Sequence, residues 1–166
     1  MLRFALVGCG RIAKRHSELL GFGKIKNASL GAVCDIDEDK AKIIGQKFNI
    51  PYYSDMDEMM QKEPLDVVSV LTESGNHAKN VINLSKYGKH LVVEKPMALN
   101  LDDADLMIKS CQQNLCKLFI VKQNRFNLPV VKLRQAYEAG RFGKLVLGTV
   151  RVRWSRHQSY YDQDSW

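Results

Sequence analysis

Two short stretches of this sequence hold residue types that could do chemistry at their spacing. Gly8-Cys9-Gly10-Arg11-Ile12-Ala13 follows an apolar run at 2–7, and Glu94-Lys95-Pro96 follows another at 90–93. Between a strand and a helix, Gly8 permits a tight turn and Gly10 lets the backbone approach a pyrophosphate. The opening amides of a helix starting near Arg11 and Ile12 then face that anion, and Ala13 takes the usual third-glycine place. Asp35 ends the next apolar run, where a carboxylate accepts hydrogen bonds from the adenosine ribose and repels a 2′-phosphate, so the pattern favours NAD over NADP. The competing reading is that Asp35 only caps the turn that follows it. Lys95 sets an ammonium beside Glu94 at the carboxyl edge of a sheet. There it can hydrogen-bond a substrate hydroxyl or a developing carbonyl oxygen and so steer hydride transfer. Without the glycine turn upstream, the same Lys-Pro pair reads as a solvated turn.

Those residues need a scaffold, and the periodicity supplies one. Apolar runs at 2–7, 30–34, 67–71, 90–93 and 117–121 read as strands. Helical patterns fall at 11–20, 38–48, 78–87 and 101–113, with a short one at 56–61 after the break at Pro51. Asn100 is the expected N-cap of the helix at 101–113, with Asp102 and Asp103 in its first turn. Short apolar strands alternating with helices predict an α/β fold, a Rossmann-like doubly wound parallel sheet covered on both faces. The character then changes. A helix is expected at 129–139, closed by Gly140, and residues 145–154 alternate as a long strand. Val146, Gly148, Val150, Val152 and Trp154 share one face of it, as at the start of an α+β substrate domain. The expected division is 1–121 for the NAD-binding domain and 122–166 for the incomplete beginning of a substrate and oligomerisation domain. A strand reaching Trp166 would leave an open edge and favour a homo-oligomer.

Composition narrows the function. A chain of 166 residues with 45% hydrophobic content can bury a good core. No apolar run approaches the length of a membrane span, and the opening strand lacks a signal-peptide pattern, so a cytoplasmic protein is expected. Cys9, Cys34, Cys111 and Cys116 show no metal-like spacing and read as buried, reduced thiols. The net charge of +7 is local. Residues 1–116 carry 15 basic and 15 acidic side chains, whereas residues 117–156 carry ten basic ones against the single acid Glu138. No zinc finger, RNA platform or helix-turn-helix pattern accompanies that stretch, which argues against nucleic acid and leaves an anionic small substrate or a docking surface.

Taken together, 3–13, Asp35, 72–77 and Glu94-Lys95-Pro96 resemble the glucose-fructose oxidoreductase, inositol dehydrogenase and MocA family. The segments 122–127, 140–144, 151–154 and 160–166 look like its nucleotide-sugar branch, the UDP-N-acetyl-glucosaminuronate 3-dehydrogenases of surface-polysaccharide synthesis such as lipopolysaccharide. The resemblance implies oxidation of a sugar C3 hydroxyl by NAD, with Lys95 at the reacting hydroxyl and a second catalytic group, a histidine, beyond Trp166. It further implies that Thr72, His77, Glu94, Lys95, Gln123, Arg153 and Trp154 lie at the cofactor, and that Lys95, Asn124, Arg125, Tyr160 and Tyr161 lie at the substrate. Where the family commonly has Thr-Pro-Asn, this chain has Thr72-Glu73-Ser74. The expected chain therefore binds NAD and turns over weakly or not at all. The alternative is a non-catalytic module that binds a dinucleotide or docks a partner.

Overall fold

The computed structural model describes residues 1–162. It divides into a unit Met1–Lys122 and a second unit that begins at Gln123. In the first unit, strands β1 (Leu2–Val7), β2 (Ala28–Cys34), β3 (Tyr52–Tyr53), β4 (Val67–Val70), β5 (His90–Val93) and β6 (Leu118–Ile120) form one parallel sheet in the order β3-β2-β1-β4-β5-β6. The order reverses between β1 and β4, so a crevice opens at their carboxyl ends.

Helices α1 (Arg11–Gly21), α2 (Glu38–Phe48), α3 (Met56–Lys62), α4 (His77–Ser85) and α5 (Leu101–Gln113) complete this unit. Strand alternation sorts the core into two layers. Leu6, Leu30 and Val33 join Ala13, Leu20, Ala41 and Ile44 of α1 and α2. Ala5, Val7, Val68, Val70, Leu91 and Val93 join Met59, Val81, Leu84 and Met107 of α3, α4 and α5. Polar residues fix the helix starts. The Asp55 carboxylate accepts from the Glu58 amide at 2.7 Å, and Asn100 Oδ1 accepts from the Asp103 amide at 2.8 Å.

Observed elements follow the expected ones closely, with α2 and α5 at the anticipated bounds. β3 went unforeseen. Two residues carry too little pattern to announce a strand, and β3 exists because Val33 and Cys34 pair with Tyr52 and Tyr53.

The second unit requires a correction. It holds a 3₁₀ turn at Gln123–Phe126, helix α6 (Leu128–Glu138) and the short helix α7 (Gln158–Tyr161). The strand expected at 145–154 is not formed: the segment is irregular, and Val146, Leu147 and Val150 are 90%, 85% and 89% exposed. Alternation supplies faces but no hydrogen-bond partner, and a strand needs a neighbour for its amides and carbonyls. Among the described residues none pairs with it, so the open-edge argument for a homo-oligomer falls as well. Residues 163–166, part of the motif at 160–166, lie outside the described residues.

Gly8 holds the turn after β1. Its φ is +96°, and a Cβ there would stand 2.7 Å from both the Leu71 carbonyl carbon and the Thr72 nitrogen. Gly10 has φ −74° as the N-cap of α1, with no atom within 4 Å of a Cβ. Gly8→Ala should therefore destabilise the chain by roughly 2 kcal/mol or more, while Gly10→Ala should cost about 1 kcal/mol or less. Urea midpoints of the two variants check this, and equal shifts would refute it.

Candidate dinucleotide and substrate site

The carboxyl ends of β1, β2, β4 and β5 bring the two chemical stretches to one edge of the sheet. Gly8 donates its amide to Cys34 O at 2.8 Å, and the Leu71 amide donates to Val7 O at 2.7 Å, so the turn is stitched to both flanking strands. Asp35 adds a third tie: its Oδ2 accepts from the Cys9 amide at 2.6 Å and its Oδ1 from the Asp37 amide at 2.9 Å. A carboxylate offers about four acceptor positions. Asp35 thus caps the following turn and still keeps capacity for ribose hydroxyls.

The local chemistry suits a dinucleotide. The first turn of α1 has no acidic residue and no side-chain cap, and the space beside Gly10 that a Cβ would fill is open. Arg11 and Ile12 lie exposed in that turn. A cleft beside it is lined by Cys9, Gly10, Lys14, Ser17, Lys40 and Lys47, among others. Lys40 pairs with Asp37 at 3.2 Å, which raises the pKa of the ammonium, with Asp35 contributing. Burial, with Asp35 and Cys34 adding, pushes the Cys9 thiol up to about 12, so it stays protonated and serves as packing rather than as a nucleophile.

Lys95 stands exposed at the end of β5, followed by a cis peptide to Pro96. Glu94 beneath it is only 9% exposed. Its Oε2 accepts from the Lys95 amide at 3.1 Å, and its Oε1 lies 3.3 Å from His16 Nε2 on α1. The His16 contact is the main reason its carboxyl titrates below the ordinary glutamate range. Burial opposes that shift, and the Lys95 amide supports it. Sequence reasoning missed His16, because its partner lies 78 residues away and a lone histidine on a helix carries no signal of its own.

Thr72 follows β4. Its Oγ1 accepts from Asn80 Nδ2 at 3.0 Å, and its carbonyl lies 2.9 Å from His77 Nε2. His77 is 1% exposed, and its Nδ1 lies 2.7 Å from Pro96 O. With both ring nitrogens engaged by backbone, His77 reaches the site through the loops it joins. Glu73, the departure from Thr-Pro-Asn, is exposed and accepts from Asn76 Nδ2 at 3.0 Å; that bond heads the causes that lower its pKa.

The remaining candidates belong to the second unit. Gln123, Asn124 and Arg125 form its 3₁₀ turn. Arg153 and Trp154 lie in the exposed irregular segment. The Arg156 guanidinium stacks over Trp154 at 4.9 Å and over Tyr160 at 5.1 Å, and Tyr160 meets Tyr161 edge to face at 5.3 Å. Arg125 and Arg153 are two of the ten basic residues of 117–156.

A parallel sheet with a glycine turn at its switch point and an acid after β2 defines the Rossmann class of fold. Residues 2–122 match the family model GFO_IDH_MocA, the oxidoreductase family with an NAD-binding Rossmann fold, and the chain belongs to that family. It is 34% identical over 144 residues to myo-inositol 2-dehydrogenase of Thermotoga maritima, covering 86% of this chain and 42% of that protein. Two WlbA dehydrogenases crystallised with NADH and UDP-GlcNAcA are also similar. The Chromobacterium violaceum structure is 38% identical with a TM-score of 0.92, covering 99% of this chain and 48% of that one. The Bordetella pertussis structure is 36% identical with a TM-score of 0.89, covering 97% and 49%. The chain spans less than half the length of these relatives.

Glu94 generates a pH prediction. Its folded pKa is depressed, so its contribution to stability is present above the unfolded value of about 4.3 and is lost as pH falls through the folded value. Urea midpoints of wild type should therefore fall more steeply below about pH 4.3 than those of Glu94→Gln. Parallel curves would refute this.

Proposed function

We propose that the whole protein is a cytoplasmic NAD-dependent dehydrogenase that oxidises the C3 hydroxyl of a UDP-N-acetyl-hexosaminuronate in surface-polysaccharide synthesis. One observation carries the reading. A glycine turn held by Asp35 and an exposed Lys95 on a buried, doubly bonded Glu94 share one sheet edge, in a chain 36–38% identical to dehydrogenases crystallised with NADH and UDP-GlcNAcA.

Gly8, Gly10, Arg11 and Ile12 would hold the pyrophosphate, and Asp35 the adenosine ribose. Thr72, His77, Glu94, Gln123, Arg153 and Trp154 are assigned to the cofactor side, His77 and Glu94 through the backbone they fix. Bound NAD supplies the hydride acceptor. Lys95 presents its ammonium to the substrate hydroxyl, orients it, and stabilises oxygen charge as the proton passes to the second catalytic group, the histidine that the family resemblance implies. Lys95 keeps its aim because Glu94 takes the Lys95 amide and is itself braced by His16. Asn124, Arg125, Tyr160 and Tyr161 are assigned to the sugar nucleotide, whose diphosphate and carboxylate suit guanidinium recognition.

Calorimetric titration tests both halves of the reading. NADH should bind the wild-type chain and bind Asp35→Ala about tenfold or more weakly, since charge-assisted bonds to the ribose are lost. Gly10→Ala should retain the fold and lose affinity, because its methyl fills the open cradle. UDP-N-acetyl-glucosaminuronate should bind more tightly than neutral monosaccharide. Equal NADH affinity in all three chains would overturn the cofactor assignment, and equal affinity for the two sugars would overturn the substrate assignment.

A further inference from the structure

We propose that Glu73 is a second selector of NAD over NADP, because it shares with Asp37 the Lys40 ammonium that a 2′-phosphate would need. The inference rests on the reading that Asp35 receives the adenosine ribose.

The argument is one of place and charge. A ribose whose hydroxyls meet Asp35 carries its 2′ position beside that carboxylate, so a phosphate there needs a cation close by. Lys40 is such a cation. It lines the cleft beside Cys9 and Gly10, and Asp37 first, then Asp35, raise the pKa of its ammonium. That ammonium is already engaged: Asp37 holds it at 3.2 Å, and Glu73 adds its field from the loop after β4. Lys47, which lines the same cleft, is likewise held by Glu18 at 3.0 Å.

Glu73 is fixed where it stands. Its carbonyl accepts from the Asn76 amide at 2.9 Å, and its Oε2 accepts from Asn76 Nδ2 at 3.0 Å. The loop that carries it abuts the glycine turn, since a Cβ on Gly8 would stand 2.7 Å from the Thr72 nitrogen. The effect between the two groups is mutual. The Asn76 bond does most to lower the Glu73 carboxyl, and the Lys40 charge adds to it. A 2′-phosphate arriving here meets three carboxylates, those of Asp35, Asp37 and Glu73, in the field of one ammonium. Residue 73 is also where this chain departs from Thr-Pro-Asn, so the third carboxylate is not part of the common pattern.

Competition of NADPH against bound NADH, read as the ratio of the two dissociation constants, tests the selection. Glu73→Gln keeps an acceptor for Asn76 and removes the charge. It should tighten NADPH about fivefold relative to NADH, and the gain should fade at about 1 M salt. Adding Lys40→Gln to Glu73→Gln should abolish the gain. An unchanged ratio in Glu73→Gln, whether neither or both dinucleotides tighten, would overturn the proposal, and so would a gain that survives Lys40→Gln. Carbon-13 titration of the side-chain carboxyls, without ligand, checks the pair itself: the Glu73 pKa should rise in Lys40→Gln, and an unmoved value would refute it. Failure of the wild-type chain to bind NADH would overturn the cofactor reading and the selection with it, whereas normal NADH binding with an unchanged ratio sinks the selection alone.

Discussion

The contact between Gly8 and the Leu71–Thr72 backbone sets the geometry of everything at the carboxyl edge of this sheet. With no Cβ and a φ of +96°, Gly8 lets the chain leaving β1 turn within van der Waals reach of the chain leaving β4. Asp35 pulls the same turn toward β2 through the Cys9 amide. The turn is thus held from both sides by groups that arrive from sequence positions 27 and more than 60 residues away. What emerges beyond it is the start of α1, open and without acidic or side-chain caps, which is the electrostatic condition for holding a phosphate.

The same helix also reaches the Lys95 turn. α1 begins at the glycine turn and carries His16 further along, and His16 braces the buried Glu94 whose other oxygen takes the Lys95 amide. On the opposite side His77 grips Pro96. The lysine is therefore rooted in a backbone fixed from two directions while its ammonium stays exposed. Lysine has a long, flexible stem, so where its ammonium can stand depends on where the stem begins.

Much of this was legible in the residues. The glycine turn, Asp35, Glu94-Lys95-Pro96 and the cap at Asn100 were readable because each depends on local spacing. The alternating strand and helix pattern announced the parallel sheet for the same reason. His16 was not readable, and His77 only through the family resemblance, since they act through partners 78 and 19 residues away and only the fold brings them together. The segment 145–154 shows the opposite failure. Its period-two pattern is local and clear, yet a strand is a property of a pair, and no partner is present among the described residues. The chain spans less than half the length of the relatives it matches.

Amide chemical-shift mapping of the isotope-labelled chain during addition of NADH tests the central claim most directly, because it reports where the cofactor sits as well as whether it binds. The account predicts perturbations concentrated at 8–13, 35–37, 72–75 and 94–97, the ends of the four strands that meet at the crevice. An unchanged spectrum, or shifts gathered on the far edge of the sheet around β6, would contradict it.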